Sequence, residues 1–336
     1  MTPRERIVAA IAHRETDYVP YIIPIDPVVI ERLNNHYGSD QWRRRIHSFS
    51  QAVGVNWGAA RQEGTRQWTD AFGVVWEDAP GAGAWHSVDV PLKQPTLEGY
   101  EFPELLPDDE LERMRQTFSG EHDRYRVAGL GMLFFERAWA LRGMENILMD
   151  FVLHPEFAHE LFERLMQMHI ELIDRLATLP IDGIRFGDDF GGQRGLIMGT
   201  PIWREFLKPR LAWMYGRAHE HGLDVWIHSC GDNSPIIGDL IEIGVDVFNP
   251  FQPEAQDVYA MNRDWGEQIA FEGGIGTQEL LPRATPGAIR TEVERLCHEI
   301  GSGGGFIISP TKPIMPDVPT ENAVACVEAI LEQAGH

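Results

Sequence analysis

Short apolar runs alternate with amphipathic stretches along almost the whole chain, and this alternation restricts the fold more than any other feature. Strand-like runs fall at 18–26, 52–56, 126–132, 182–187, 224–229, 244–248, 268–273 and 304–309. Between them lie helical patterns. The clearest runs from Pro155 to Leu176, where apolar residues recur at three- and four-residue spacing. Alternation of this kind implies a parallel sheet, and eight such units imply a closed (β/α)8 TIM barrel. An open doubly wound sheet is the alternative. No Gly-x-Gly-x-x-Gly follows an early strand, so dinucleotide binding has little support. Residues 62–100 break the rhythm: Gln67-Trp68-Thr69-Asp70, Gly73-Val74-Val75-Trp76 and Trp85-His86-Ser87-Val88 are short alternating pieces separated by Gly and Pro. They predict a β-hairpin insertion near 62–100.

The chain has 336 residues, enough for a sizeable core, and is read as one domain over 1–336. A net charge of −22 argues against nucleic acid and anionic membrane surfaces as partners. Three cysteines make no disulfide framework. The polar start, Met1-Thr2-Pro3-Arg4-Glu5-Arg6, leads into a helix over 3–13 without a signal-peptide core, and no apolar run approaches the length of a membrane span. The expectation is a cytoplasmic protein.

In a barrel of this type, chemistry collects at the carboxyl ends of the strands. Those ends are polar here. The first carries Asp26; later ones carry Arg185 and Gly187-Asp188-Asp189-Phe190-Gly191-Gly192-Gln193, then His228-Ser229-Cys230-Gly231. Asn249-Pro250-Phe251-Gln252, Glu272-Gly273-Gly274 and Ser309-Pro310-Thr311-Lys312-Pro313 follow. Residues two apart on an extended strand share a side, so His228 and Cys230 converge on one point, and imidazole with thiolate suits zinc. A lone histidine or cysteine on a strand is usually a core residue, but the paired spacing before a glycine favours ligation. Asp188 and Asp189 read either as caps for the following turn or as groups that orient substrate or a histidine. Glu272 ends an apolar strand and needs a partner. Cys297 and Cys326 lie on apolar helix faces and read as core, which leaves Cys230 as the reactive thiol.

His228-Ser229-Cys230-Gly231, Pro250-Phe251-Gln252, Gly273-Gly274-Ile275 and Met315-Pro316-Asp317-Val318-Pro319-Thr320-Glu321-Asn322 together resemble the uroporphyrinogen decarboxylase superfamily. The opening Thr2-Pro3-Arg4-Glu5-Arg6-Ile7-Val8-Ala9-Ala10 is similar too. The resemblance implies the (β/α)8 barrel independently of the strand count. It is nearer the corrinoid-dependent methyltransferase branch than the true decarboxylases. Those decarboxylases use an N-terminal Arg-Gln-Ala-Gly-Arg segment and a late Gly-His-Gly; here Tyr21–Pro27 lacks the first, and Thr311-Lys312-Pro313 replaces the second. The methyltransferases carry zinc on a His-x-Cys pair plus a distant third cysteine. His228 and Cys230 match the pair, whereas Lys312 stands where the third cysteine would fall. Glu272 is therefore taken as the replacement metal ligand, with Asp188 or Asp189 next.

The expected activity is methyl transfer through a corrinoid, by demethylation of a methyl ether or similar donor, or by methyl delivery to an acceptor. Asp188, Asp189 and Lys312 are the expected catalytic groups. Asp26, Trp139, Phe190, Gln193, Gln252 and Arg185 are the expected substrate contacts. The expected cofactor is zinc, and the corrinoid is expected on a small partner protein, because no Asp-x-His-x-x-Gly occurs here. The resemblance also admits a homodimer. The alternative is a metal-free decarboxylase or lyase of a small carboxylic acid, binding it through Lys312, Arg185 and Arg194.

Overall fold

The computed structural model describes residues 1–46, 49–56, 58–61, 64–78, 85–120 and 123–335. In chain order its strands are β1 (Ser50–Gly54), β2 (Ala59–Arg61), β3 (Gln67–Asp70), β4 (Val75–Asp78), β5 (Trp85–Asp89), β6 (Tyr125–Leu130) and β7 (Gly183–Gly187). They continue with β8 (Gly191–Gly192), β9 (Gly195–Leu196), β10 (Asp224–His228), β11 (Val247–Phe251), β12 (Ala270–Ile275) and β13 (Phe306–Pro310).

Seven of them form one curled sheet in sequential order, β1-β6-β7-β10-β11-β12-β13, and every pairing is parallel. Helices occupy the connections, the arrangement of a TIM-barrel-like fold. Every residue of β11, β12 and β13 is buried, as expected for strands covered on both faces. The expected first strand is present only as bridges. Tyr21 and Ile25 pair in parallel with Ile308 and Ile314, through bonds such as Ile22 N to Ile308 O at 3.0 Å. Pro20 and Pro24 have no amide hydrogen to donate, so no continuous ladder forms there. The count of eight regular strands is thus corrected to seven plus a bridged segment.

The helix Pro155–Leu176 matches its predicted bounds and buries Leu161, Leu165, Leu172 and Leu176 along one stripe. Each such leucine contributes about 1.5–3 kcal/mol relative to exposure. The opening helix, Pro3–Ile11, starts at a Thr2–Glu5 capping box. No helix among the described residues is long and apolar enough to cross a membrane.

The insertion is larger than a hairpin: β2, β3, β4 and β5 form a four-stranded antiparallel sheet. Residues 62, 63 and 79–84 of the predicted segment lie outside the described residues. Asp70, at the end of β3, ties the sheet to the barrel. Its Oδ1 accepts from the amides of Phe72 and Val74 at 3.0 Å each, and its Oδ2 accepts from Trp76 Nε1 at 3.1 Å and Arg137 Nη1 at 2.7 Å.

Candidate active site

Strands β7 and β10 are neighbours, with Gly187 opposite His228. The loops that follow them therefore leave the sheet side by side. Glycine makes their contact possible. Gly231 has φ +84°, and a Cβ there would fall on the backbone of Gly191, while a Cβ on Gly191 would meet Cys230 O and Asn233 Nδ2. Asn233 Nδ2 donates to the carbonyls of Ser229, Cys230 and Gly231 at 2.9, 3.1 and 3.2 Å. Gln252 Oε1 accepts from Gly231 N at 3.3 Å, and Gln256 Nε2 donates to Gly231 O at 2.7 Å. This clamp leaves the His228–Gly231 turn little freedom.

The close approach sets Asp189 beside the His-x-Cys pair. Asp189 Oδ1 accepts from the Cys230 amide at 2.8 Å, and His228 Nε2 lies 3.5 Å from Cys230 Sγ. Ligand atoms of Asp189, His228 and Cys230 all lie within 4.8 Å of one another, the one such group of three among the described residues. Asn249 Oδ1 sits 2.6 Å from His228 Nδ1, and Asn249 Nδ2 donates to Glu272 O at 3.4 Å. That orientation of the amide assigns the imidazole proton to Nδ1 and leaves the Nε2 lone pair facing the cysteine.

The donor set fits zinc. With Zn–S about 2.3 Å and Zn–N about 2.0–2.1 Å, tetrahedral bonds set sulfur and nitrogen roughly 3.5 Å apart, the spacing observed. Imidazole, thiolate and carboxylate are all zinc donors, and three protein ligands leave one position open. Burial, followed by the neighbouring Asp189 charge, pushes the Cys230 thiol up to about 12, while the Lys312 ammonium pulls it down. Without metal the sulfur therefore stays protonated at neutral pH, and binding a cation would expel that proton.

Other expected residues have different work. Glu272 is buried and paired with Arg185, whose guanidinium also lies 5.1 Å from the Trp226 ring. A buried carboxylate is stabilised by a close cation, and the guanidinium on β7 satisfies it. Glu272, the expected third donor, is thus engaged by Arg185, and the carboxylate grouped with His228 and Cys230 is that of Asp189. Asp188 is buried and accepts from the amides of Phe135 and Glu136 at 2.8 Å each, so it caps the helix Phe135–Arg142 from the adjacent strand end. Burial raises its carboxyl while those amides lower it. Both oxygens of this expected catalytic group are thus engaged by backbone amides.

Phe190 is fully buried, its ring 5.8 Å from Trp203, so it supports the loop and forms no open wall. Gln193 and Arg194 are exposed in the turn between β8 and β9. Of the other expected substrate contacts, Gln252 is buried against Gly231 and Asp26 caps the helix Pro27–Tyr37. Lys312 is exposed, yet its charge reaches Cys230. Trp139 is half-buried, 6.0 Å from Trp76 of the insertion.

Sequence reasoning missed Glu136. It lies in the first turn of the helix Phe135–Arg142, beyond the end of β6, and a survey of strand ends stops short of it. Burial together with the charges of Asp188 and Asp189 pushes its carboxyl up to about 8, and its charge is felt at Cys230.

A sulfur–nitrogen–carboxylate cluster at the carboxyl ends of β7 and β10 defines a TIM-barrel-like protein with its candidate site in the expected place. Residues 136–333 match the profile of the uroporphyrinogen decarboxylase (URO-D) family, more than half of the chain, and the chain belongs to that family. It is 37% identical over 79 residues to the uroporphyrinogen decarboxylase of Serratia proteamaculans, covering 24% of this chain and 22% of that one. With the uroporphyrinogen decarboxylase of Pseudomonas fluorescens it shares 24% identity over 195 residues, covering 53% and 49%. The chain thus spans about half or less of the length of these relatives. In structure it is similar to a methyltransferase from Methanosarcina mazei, with a TM-score of 0.72, 16% identity and 99% coverage of both chains. That likeness speaks for the fold.

Proposed function

We propose that the protein is a zinc-dependent methyltransferase that works with a corrinoid carried on a small partner protein. The observation that carries this reading is the Asp189–His228–Cys230 cluster, with Asn249 turning the Nε2 lone pair inward. When bound, the metal supplies Lewis acidity toward the oxygen or sulfur bearing the transferred methyl, and the corrinoid supplies the methyl-exchanging partner.

The chain's own residues do the rest. His228, Cys230 and Asp189 hold the metal, and the Asn233 and Gln252 contacts keep the turn in place. Glu136, beside the cluster, offers a carboxyl proton to a departing alkoxide or phenolate. Lys312, at the mouth, adds positive charge to an otherwise acidic site. The metal-free lyase reading loses Arg185, which is committed to Glu272, and is left with Lys312 and Arg194.

Elemental analysis of purified protein, beside His228→Ala and Cys230→Ser variants, tests the reading. About one zinc per chain in the parent, lost in both variants while far-ultraviolet circular dichroism is retained, is the expected result. Absence of metal after zinc is offered under reducing conditions would overturn it.

A further inference from the structure

Three tryptophans of the insertion meet at one corner. Trp76 and Trp85 pack edge to face with centroids 4.7 Å apart, and Trp68 lies 6.3 Å from Trp85. With Val55 and Met132 they wall a cleft of about 260 Å³ between the insertion sheet and the barrel mouth. Trp85 is 46% exposed and Trp68 half-buried, so both offer apolar surface to the opening, with Trp76 buried behind them.

The charges at the cleft cancel. Arg137 and Asp70 are buried against one another at 2.7 Å, and Asp70 also accepts from Trp76 Nε1. An ionic ligand would have to compete with this buried, already satisfied pair. At the rim, Asn56 Oδ1 accepts from Gly58 N at 3.0 Å, and its Nδ2 has no partner among the described residues. The cleft adjoins the cluster through the backbone. Met132 follows Gly131, which packs against Gly187 just before Asp188, and Arg137 follows Glu136.

We propose that this corner binds a neutral aromatic ring of the substrate, packed against Trp85 and Trp68 with a ring oxygen facing Asn56 Nδ2. The reacting end of the substrate then lies toward Asp189, His228 and Cys230, an orientation that rests on reading this cluster as the reaction site. In this proposal the insertion determines specificity, and the barrel mouth performs the chemistry.

Calorimetric titration of the purified protein with phenol, benzoate and tetramethylammonium chloride tests the assignment, in the parent and in Trp85→Ala and Cys230→Ser variants. Saturable phenol binding that weakens at least about tenfold in Trp85→Ala, at unchanged metal content, is expected, since one aromatic contact plus its buried area supplies that much. Benzoate and tetramethylammonium should bind more weakly than phenol. Equal phenol affinity in Trp85→Ala, tighter binding of either ion, or no phenol binding would overturn the proposal. Trp85 is exposed, so its removal spares the core. The Cys230→Ser variant separates the two readings. Phenol binding by protein that never holds metal would sink the metal site and leave the cleft standing, whereas metal without phenol binding would do the reverse.

Discussion

Asn249 decides which nitrogen of His228 is free. Its amide is held by the Glu272 carbonyl and accepts the Nδ1 proton, so Nε2 stays available to a cation. Asn249→Leu should keep the fold and weaken zinc binding about 10- to 100-fold, measured by competition with a coloured chelator; unchanged affinity would show that the imidazole is oriented without it. Glu136→Gln should leave the metal in place and lower methyl-transfer turnover, and an unaltered rate would remove the carboxyl from the reaction. On the opposite end of the barrel, His219 Nε2 lies 2.8 Å from Asp246 Oδ2, and this bond raises the imidazole above its ordinary 6.5. A group raised in the folded state stabilises fully below the unfolded value and loses that contribution as pH rises through the folded one. The melting-temperature gap between the parent and His219→Gln should therefore shrink as pH climbs past 6.5 and through the raised value.

At the scale of elements, two joints control the site. The first is the glycine contact between the turns after β7 and β10. Gly231→Ala would add a Cβ at φ +84° against Gly191 and impose backbone strain of about 1–3 kcal/mol before any clash. It should lose metal even though no ligand is changed. The second joint is Asp70–Arg137, which fastens the antiparallel sheet to the helix Phe135–Arg142. Asp70→Ala removes the buried carboxylate that Arg137, Trp76 and two backbone amides share and should cost about 3–5 kcal/mol in denaturant unfolding; a loss under 1 kcal/mol would mean that water or another group takes over. The periodicity of Pro155–Leu176 made that helix legible in the sequence, because a buried stripe imposes a strict spacing. The insertion was legible only as alternating pieces, since the alternation of a meander states no strand partners.

For the whole molecule, a metal held by Asp189, His228 and Cys230, as proposed, would couple the site to global stability. A ligand that binds only the folded state stabilises it by mass action. A strong chelator should thus lower the melting temperature of the parent and leave that of Cys230→Ser unchanged. Equal shifts in both would place the metal elsewhere.

Alternating runs, strand-end polarity and the His228–Cys230 spacing were properties of the sequence, because local periodicity and the two-residue repeat of a strand depend only on neighbours along the chain. They determined a barrel-type fold and a sulfur–nitrogen donor pair. Which carboxylate joins that pair was not a local property. Glu272, Asp188 and Asp189 all stood at strand ends, and only the packing of β7, β10 and β12 sent Glu272 to Arg185, Asp188 to a helix end and Asp189 to Cys230. Glu136 comes to the cluster from the first turn of a helix, and the tryptophan corner arises where a separate sheet meets the barrel mouth. Such contacts are set by where whole elements pack, a decision that belongs to the tertiary structure.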